Sequence, residues 1–172
     1  MVKVKKQYIK RKFLFSIVTL ILMMSNLWTY AQEMPPRPVG VSFVQDLSFG
    51  AFAPGNNGGT VMVTHNGMRI ATGDIILLNL GFLYFPALFE LEGLPGTIVH
   101  YLAGPDATLT GNNGGFLTLQ IGESYPGDPI IINVSPPGKM QVYVGGTIIV
   151  GNIFANPSGQ YSGYFDVMFI QE

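Results

Sequence analysis

Gly159-Gln160-Tyr161-Ser162-Gly163-Tyr164-Phe165-Asp166-Val167-Met168-Phe169-Ile170-Gln171-Glu172 carries the plainest strand pattern in the chain. Tyr161, Phe165, Val167 and Phe169 fall at alternate positions, with Gly163 between the first two. Alternate residues of a strand point to one face, so these side chains make a single apolar stripe. Asn156-Pro157-Ser158-Gly159 ahead of them reads as a turn. The stretch is expected to be a terminal β-strand that closes an antiparallel sheet.

Working outward, strand and turn signals succeed one another. Lys139–Val144 and Thr147–Val150 flank Gly145-Gly146, expected as a tight turn or bulge. Upstream lie the apolar Ile130–Val134 among four prolines, Phe116–Ile121 after the turn Asn112–Gly115, and short Ala107–Thr110. Thr97–Leu102 and the alternating Ala87–Glu92 precede these, joined by Gly93-Leu94-Pro95-Gly96. Asp74–Leu80, Met68–Ala71, Thr60–His65 and Val41–Phe49 complete the set, with Pro54–Gly59 as a loop. Asn66-Gly67 is a two-residue hairpin signal, since both positions tolerate positive φ. No window after residue 31 has helical periodicity. About 8–10 short strands, with turns about every ten residues, predict an all-β chain, an antiparallel immunoglobulin-like β-sandwich. A closed barrel is the second choice.

The N-terminal stretch has a different character. Lys3, Lys5, Lys6, Lys10, Arg11 and Lys12 form a basic region. The mainly apolar Phe13–Leu27 follows, and Thr29-Tyr30-Ala31 puts small residues at the −3 and −1 positions. This is the pattern of a secretory signal peptide, a helix cleaved after Ala31. The apolar run is shorter than the roughly 20 residues a membrane span needs. The expected organisation is a signal peptide over 1–31, a proline-rich lead-in over 32–40 and one sandwich domain over 41–172. With no cysteine at the cleavage point, a lipid-anchored form is excluded. The exported fold then relies on its core and ladders, without disulfides.

Removing residues 1–31 leaves Arg37, Arg69 and Lys139 against ten acidic residues, 3 − 10 = −7. Three scattered cations make no nucleic-acid surface. Charged residues are only 11 % of the chain, well below the roughly 25 % of an average domain, which leaves ample apolar residues for a core.

Several pieces then line up in order: Leu47-Ser48-Phe49-Gly50, Gly58-Gly59-Thr60-Val61, Gly73-Asp74-Ile75 and Phe89–Gly96. Tyr143-Val144-Gly145-Gly146-Thr147-Ile148 and Gly159–Val167 follow. This ordered set resembles the exported bacterial family called domain of unknown function 4402, over about Val41 to Gln171. The resemblance implies an exported all-β domain with no established catalytic residues. More distantly, the chain is similar to spore coat protein U-like and chaperone–usher pilin-type domains. These end in a similar strand with a glycine fourteen residues from the terminus, the place Gly159 holds here. The penultimate residue is Gln171 where pilins carry tyrosine, and the pilin cysteine pair is absent. In pilins a neighbour donates a missing strand by β-strand addition. That similarity implies a candidate assembly strand through Gly159, Tyr161, Phe165, Val167 and Phe169. The candidate donor, Gln32–Val44, contains Pro35, Pro36 and Pro38, which lack N–H groups. It is expected to end in a plain first strand.

No catalytic, cofactor-binding or metal residues are assigned. Glu90 and Glu92 lie two apart on one strand, a spacing open to glycoside hydrolysis, but nothing accompanies them and an exposed polar face is expected. His65, beside the Asn66-Gly67 turn, is expected in solvent, and His100 at a sheet edge. Two separated histidines without cysteine make no zinc site. Asp74, Asp106 and Asp128 are expected to cap turns. No Gly-x-Ser-x-Gly elbow is present. Tyr125, Tyr143 and Tyr164 are candidates for a sugar-stacking platform, Tyr164 facing away from the Phe165 stripe. The expected role is that of an exported, non-enzymatic, structural or adhesive protein of the periplasm, cell surface or exterior. It would need no cofactor, its partners would be other envelope proteins or itself, and the mature chain would not span a membrane. Two alternatives stand beside it: a pilus-like subunit assembling by strand exchange, and a carbohydrate-binding module.

Overall fold

The computed structural model describes residues 37–172, and every regular element in them is a β-strand. The expected signal-peptide helix lies outside the described residues. The chain runs through β1 (Gly40–Gln45), β2 (Ser48–Phe49), β3 (Phe52–Val63) and β4 (Arg69–Leu77). Next come β5 (Tyr84–Phe85), β6 (Ala87–Glu92), β7 (Ile98–Ala103) and β8 (Ala107–Gly111). Last are β9 (Phe116–Tyr125), β10 (Ile130–Ile131), β11 (Met140–Val150), β12 (Tyr161–Ser162) and β13 (Val167–Gln171). Among the described residues no helix is long and apolar enough to cross a membrane.

All pairing is antiparallel, as expected. The main sheet has the order β1-β6-β11-β9-β8-β12, with β3 and β4 branching from β11. β11 is its axis: Met140–Val144 pairs with β6, Gly146–Val150 with β3, and β9 lies along the other side. A second sheet has the order β10-β7-β13, and β2 and β5 form a small ribbon. The two principal sheets make an antiparallel β-sandwich of the immunoglobulin-like kind.

The core follows from the period of two. In β6, Ala87, Phe89 and Leu91 are buried. They meet Val142 and Val144 of β11 and, from the facing sheet, Val99 and Ile130. A second cluster gathers Val61, Val63, Leu117, Leu119, Ile148 and Leu109. These all belong to the main sheet, so the sheet must curl to bring them together; Phe49 of the β2–β5 ribbon packs among them.

Several expectations change: Met68–Ala71 and Asp74–Leu80 join in the single strand β4, and Val41–Phe49 divides into β1 and β2. Of the turn or bulge expected at Gly145-Gly146 the structure has the bulge: the pair lies inside one continuous strand, with the ladder to β9 shifting register between Val144 and Gly146. A Cβ on Gly145 would stand 2.6 Å from the Val63 carbonyl oxygen, so only glycine lets β3 approach. Asn56-Asn57-Gly58-Gly59, expected as a loop, is an irregularity inside β3, where the register against β4 shifts between Pro54 and Gly59. The identical Asn112–Gly115 does form the β8–β9 turn. The two copies share positive-φ glycines (Gly58, Gly114 and Gly115) but differ in what surrounds them. The stretch 159–172 is two strands rather than one. Tyr161–Ser162 pairs with β8 in the main sheet, whereas Val167–Gln171 pairs with β7 in the smaller one.

Arg69 binds several segments together. Its Nη1 donates to the carbonyls of Phe49 (3.1 Å) and Ala51 (3.2 Å), and its Nη2 to that of Leu78 (3.3 Å). The guanidinium carbon lies 4.3 Å from the Tyr84 ring centroid. One side chain thus ties both strands of the β2–β5 ribbon to β4.

Candidate functional site

The terminal segment is the first place to look. Tyr161 packs on the cluster inside the curled sheet, Val167 and Phe169 on the cluster between the sheets, and Phe165 on both. The apolar stripe is therefore continuous although its backbone changes sheet. Each of the four residues stays half-buried, and Gly159 lies in the bend ahead of β12. Among the described residues β13 has one ladder partner, β7, so its other edge is unpaired. An aromatic seam runs inward from the β1 edge: Phe43 packs edge-on against Phe89 (5.7 Å), and Phe89 against Phe169 (5.5 Å). Phe43 is nonetheless 58 % exposed. At one end the Val39 N–H donates to Gln171 Oε1 at 3.0 Å and links the two edges. Val41 and Phe43 pair with Leu91 and Phe89 of the same chain, as a plain first strand.

The outer face of the smaller sheet is unusual. Met168 sits opposite Leu102 and Ile170 opposite His100. Leu102, Met168 and Ile170 are each about half exposed, as is Ile131 on β10. A sheet with one face on the core normally presents polar residues on the other.

His100 lies on β7, the central strand, and not at an edge. Its Nδ1 meets Asp128 Oδ1 at 3.1 Å and its Nε2 meets Glu172 Oε1 at 3.3 Å. The carboxylates sit on opposite ring nitrogens and cannot converge on one ion. Among the described residues no three such side chains are grouped to hold a metal. Hydrogen bonds to Asp128 and then Glu172 raise the His100 pKa above its usual 6.5. The Tyr101 N–H, followed by His100, lowers that of Asp128 from 3.8. A raised histidine pKa stabilises the fold fully below about 6.5 and loses that contribution as pH climbs through the folded value. A lowered aspartate pKa contributes above about 3.8 and is lost as pH falls through its folded value. The clasp is thus strongest between about pH 4 and 6.5. A slight fall in melting temperature is expected from about pH 5.5 to 8, absent in His100→Gln; it is small because these exposed groups are screened. An identical slope in the variant would mean the clasp contributes nothing.

Beneath the same sheet, burial pushes the Tyr101 hydroxyl up to about 12, and it donates to the Gly122 carbonyl at 2.9 Å.

The carboxylates singled out in the sequence take structural places. Glu90 is bonded to Lys139 at 3.0 Å, and Glu92 is exposed on the same strand. Asp74 accepts from the Asn57 N–H at the β3 irregularity, and Asp106 from Gln120.

The tyrosines divide. Tyr125 and Tyr143 are cross-strand neighbours in the β9–β11 ladder. Half-buried His65 stacks on Tyr125, with centroids 5.4 Å apart and planes 12° apart. These three, with Asn66, Gly67 and Pro86, line a shallow cleft of about 540 Å³. Tyr164 stands apart from it, 96 % exposed on the link between β12 and β13.

The family described as Domain of unknown function (DUF4402) matches residues 39–170, from just before β1 into β13. The chain belongs to this family. The match spans both sheets and the terminal strand, so the terminal strand is part of the DUF4402 domain rather than an appendage. No curated protein and no solved structure matches the chain.

Proposed function

We propose that this DUF4402 chain is an exported, non-enzymatic, structural or adhesive protein of the bacterial envelope or surface, working by contact with other envelope proteins or with itself. The observation that carries the reading is the apolar outer face of the β10-β7-β13 sheet, formed by Leu102, Met168, Ile170 and Ile131. His100 and its two carboxylates interrupt this face between Leu102 and Ile131, but half-exposed apolar side chains gathered on one sheet face mark a contact surface. The basic region, apolar run and small-residue site of the first 31 residues support export. A second reading, assembly by strand exchange, is favoured by the β13 edge, unpaired among the described residues, and by Phe43, more than half exposed at the outer end of the Phe43–Phe89–Phe169 seam.

Light scattering behind size-exclusion chromatography, with a thermal melt, tests both on the exported chain. The contact-face reading expects a cooperatively melting protein whose mass rises with concentration to a small closed assembly. Leu102→Glu with Met168→Glu should abolish that rise and leave the melt within a few degrees. A ladder of polymers, dispersed by a peptide copying residues 39–45, would replace it with strand exchange. Turnover of any substrate would sink both.

A further inference from the structure

On the large sheet, away from that apolar face, we infer that the cleft lined by His65, Asn66, Gly67, Pro86, Tyr125 and Tyr143 binds a neutral carbohydrate chain, one pyranose ring stacking on Tyr125. Its volume of about 540 Å³ falls within the roughly 300–1,000 Å³ typical of small-molecule clefts. Val142 and Val144 are buried, so Tyr143 between them points out from the sheet, and its ladder neighbour Tyr125 shares that face.

The ring surface is held in place. Tyr125 is 59 % exposed yet stacked on His65, which the Asn66-Gly67 hairpin positions. The Tyr143 hydroxyl donates to Gln141 Oε1 at 2.8 Å, which fixes the phenol and leaves the exposed Gln141 amide NH2 for a second partner. Asn66 also offers its amide NH2, because its Oδ1 already accepts from Thr64. The cleft thus combines aromatic faces with neutral donors at its rim, which suits a ring with an apolar C–H face and a hydroxylated edge.

Charge narrows the ligand. The lining contains no carboxylate, lysine or arginine. Residues 37–172 carry three Lys and Arg against nine Asp and Glu, 3 − 9 = −6. Arg69 is bonded to backbone carbonyls and Lys139 to Glu90. Arg37 is exposed but no part of the lining, so an acidic polysaccharide or a nucleic acid would find net repulsion and no lysine or arginine in the cleft to meet it. Proline rings also stack on tyrosine, and Pro35-Pro36-Arg37-Pro38 of a second copy is the nearest such candidate. The lining offers its arginine no carboxylate to bond, so such a segment would be held by ring stacking alone, whereas a sugar also meets the neutral amide donors. The neutral sugar is the better occupant.

The test is affinity electrophoresis of the exported chain in native gels containing soluble glucan, mannan, xylan or galactan, with alginate as the anionic comparison. Retardation is expected in at least one neutral gel and not in alginate. Tyr125→Ala should weaken it at least tenfold, while Tyr164→Ala should migrate like the parent. Should Tyr125→Ala fail to melt cooperatively, Gln141→Ala, at an exposed rim position, should weaken retardation several-fold. Parental binding by the folded Tyr125→Ala, or by Gln141→Ala, overturns the inference. So does free migration in every neutral gel, or equal retardation by alginate. Saturable binding of a peptide covering residues 31–38, without polysaccharide binding, assigns the cleft to a copy-to-copy contact. The contact-face variant Leu102→Glu with Met168→Glu should retain polysaccharide binding, so the two surfaces stand or fall separately.

Discussion

Replacing Phe165 with aspartate is expected to lower the melting temperature by about 10 °C or more. Phe165 packs on both hydrophobic clusters, where the chain leaves the main sheet at β12 and enters the smaller one at β13. Truncating a fully buried phenylalanine costs about 3–5 kcal/mol, so a half-buried ring loses about 2. A carboxylate held against apolar surface adds about 1–3 kcal/mol, as an unsatisfied polar group. The sum, about 3–5 kcal/mol, is a large share of the roughly 5–15 kcal/mol that holds such a domain together. Phe165→Leu keeps most of the apolar contact and should cost about 1 kcal/mol. Tyr164→Asp, next door and almost wholly exposed, should stay within about 0.5 kcal/mol of the parent. A thermal melt of the three variants decides the matter. Equal behaviour of Phe165→Asp and Tyr164→Asp would mean the stripe does not face the core.

That contrast between neighbours is the part of the fold most legible in the sequence. A period of two fixes which face a residue takes, and Ala87–Glu92 was readable to its ends because its alternation is uninterrupted. Which sheet a strand joins is another matter. Tyr161, Phe165, Val167 and Phe169 keep their phase across Gly163–Asp166, so the pattern reads identically whether the backbone continues in one ladder or changes ladders. Glycine pairs hide the same ambiguity. Gly145-Gly146 has the composition of a turn, and only the approach of the Val63 carbonyl shows that the missing Cβ atoms serve a crowded strand crossing. The aromatic cleft lay further out of reach. Tyr125 and Tyr143 are adjacent because of a register set by the whole β9–β11 ladder, which neither local sequence contains. The backbone irregularity at Gly145 is part of that register, so the residue expected at a turn or bulge helps set where the two tyrosines meet.

Arg69 is one of three scattered cations by charge counting, which does not show that its bonds hold the β2–β5 ribbon to β4. Arg69→Met should destabilise the domain by about 1 kcal/mol. Methionine keeps the apolar stem but takes the guanidinium donors from the carbonyls of Phe49 and Leu78, while that of Ala51 keeps the Leu78 N–H at 2.9 Å. A buried carbonyl stripped of its partner costs about 1–3 kcal/mol. The lower end applies here because the bonds are only partly buried and water can replace some of them. The contact with the Tyr84 ring adds about 0.5–1 kcal/mol. One term runs the other way: the Arg69 Nε is buried without a hydrogen-bond partner, and removing it recovers about 1–3 kcal/mol. Two stripped carbonyls, a weakened third and the aromatic contact come to about 3 kcal/mol against about 2 for the orphaned N–H, a net loss of about 1. Arg69→Lys should fall between, because an ammonium cannot reproduce the planar fork that spans three acceptors. Hydrogen exchange gives the sharper reading. In Arg69→Met the β2–β5 ribbon should lose protection before β6 and β11 do, since Arg69 joins that ribbon to β4 while the β6–β11 ladder is independent of it. Uniform loss across all strands would show that the ribbon is no separate unit, and an unchanged melt would show that water substitutes for the guanidinium at no cost.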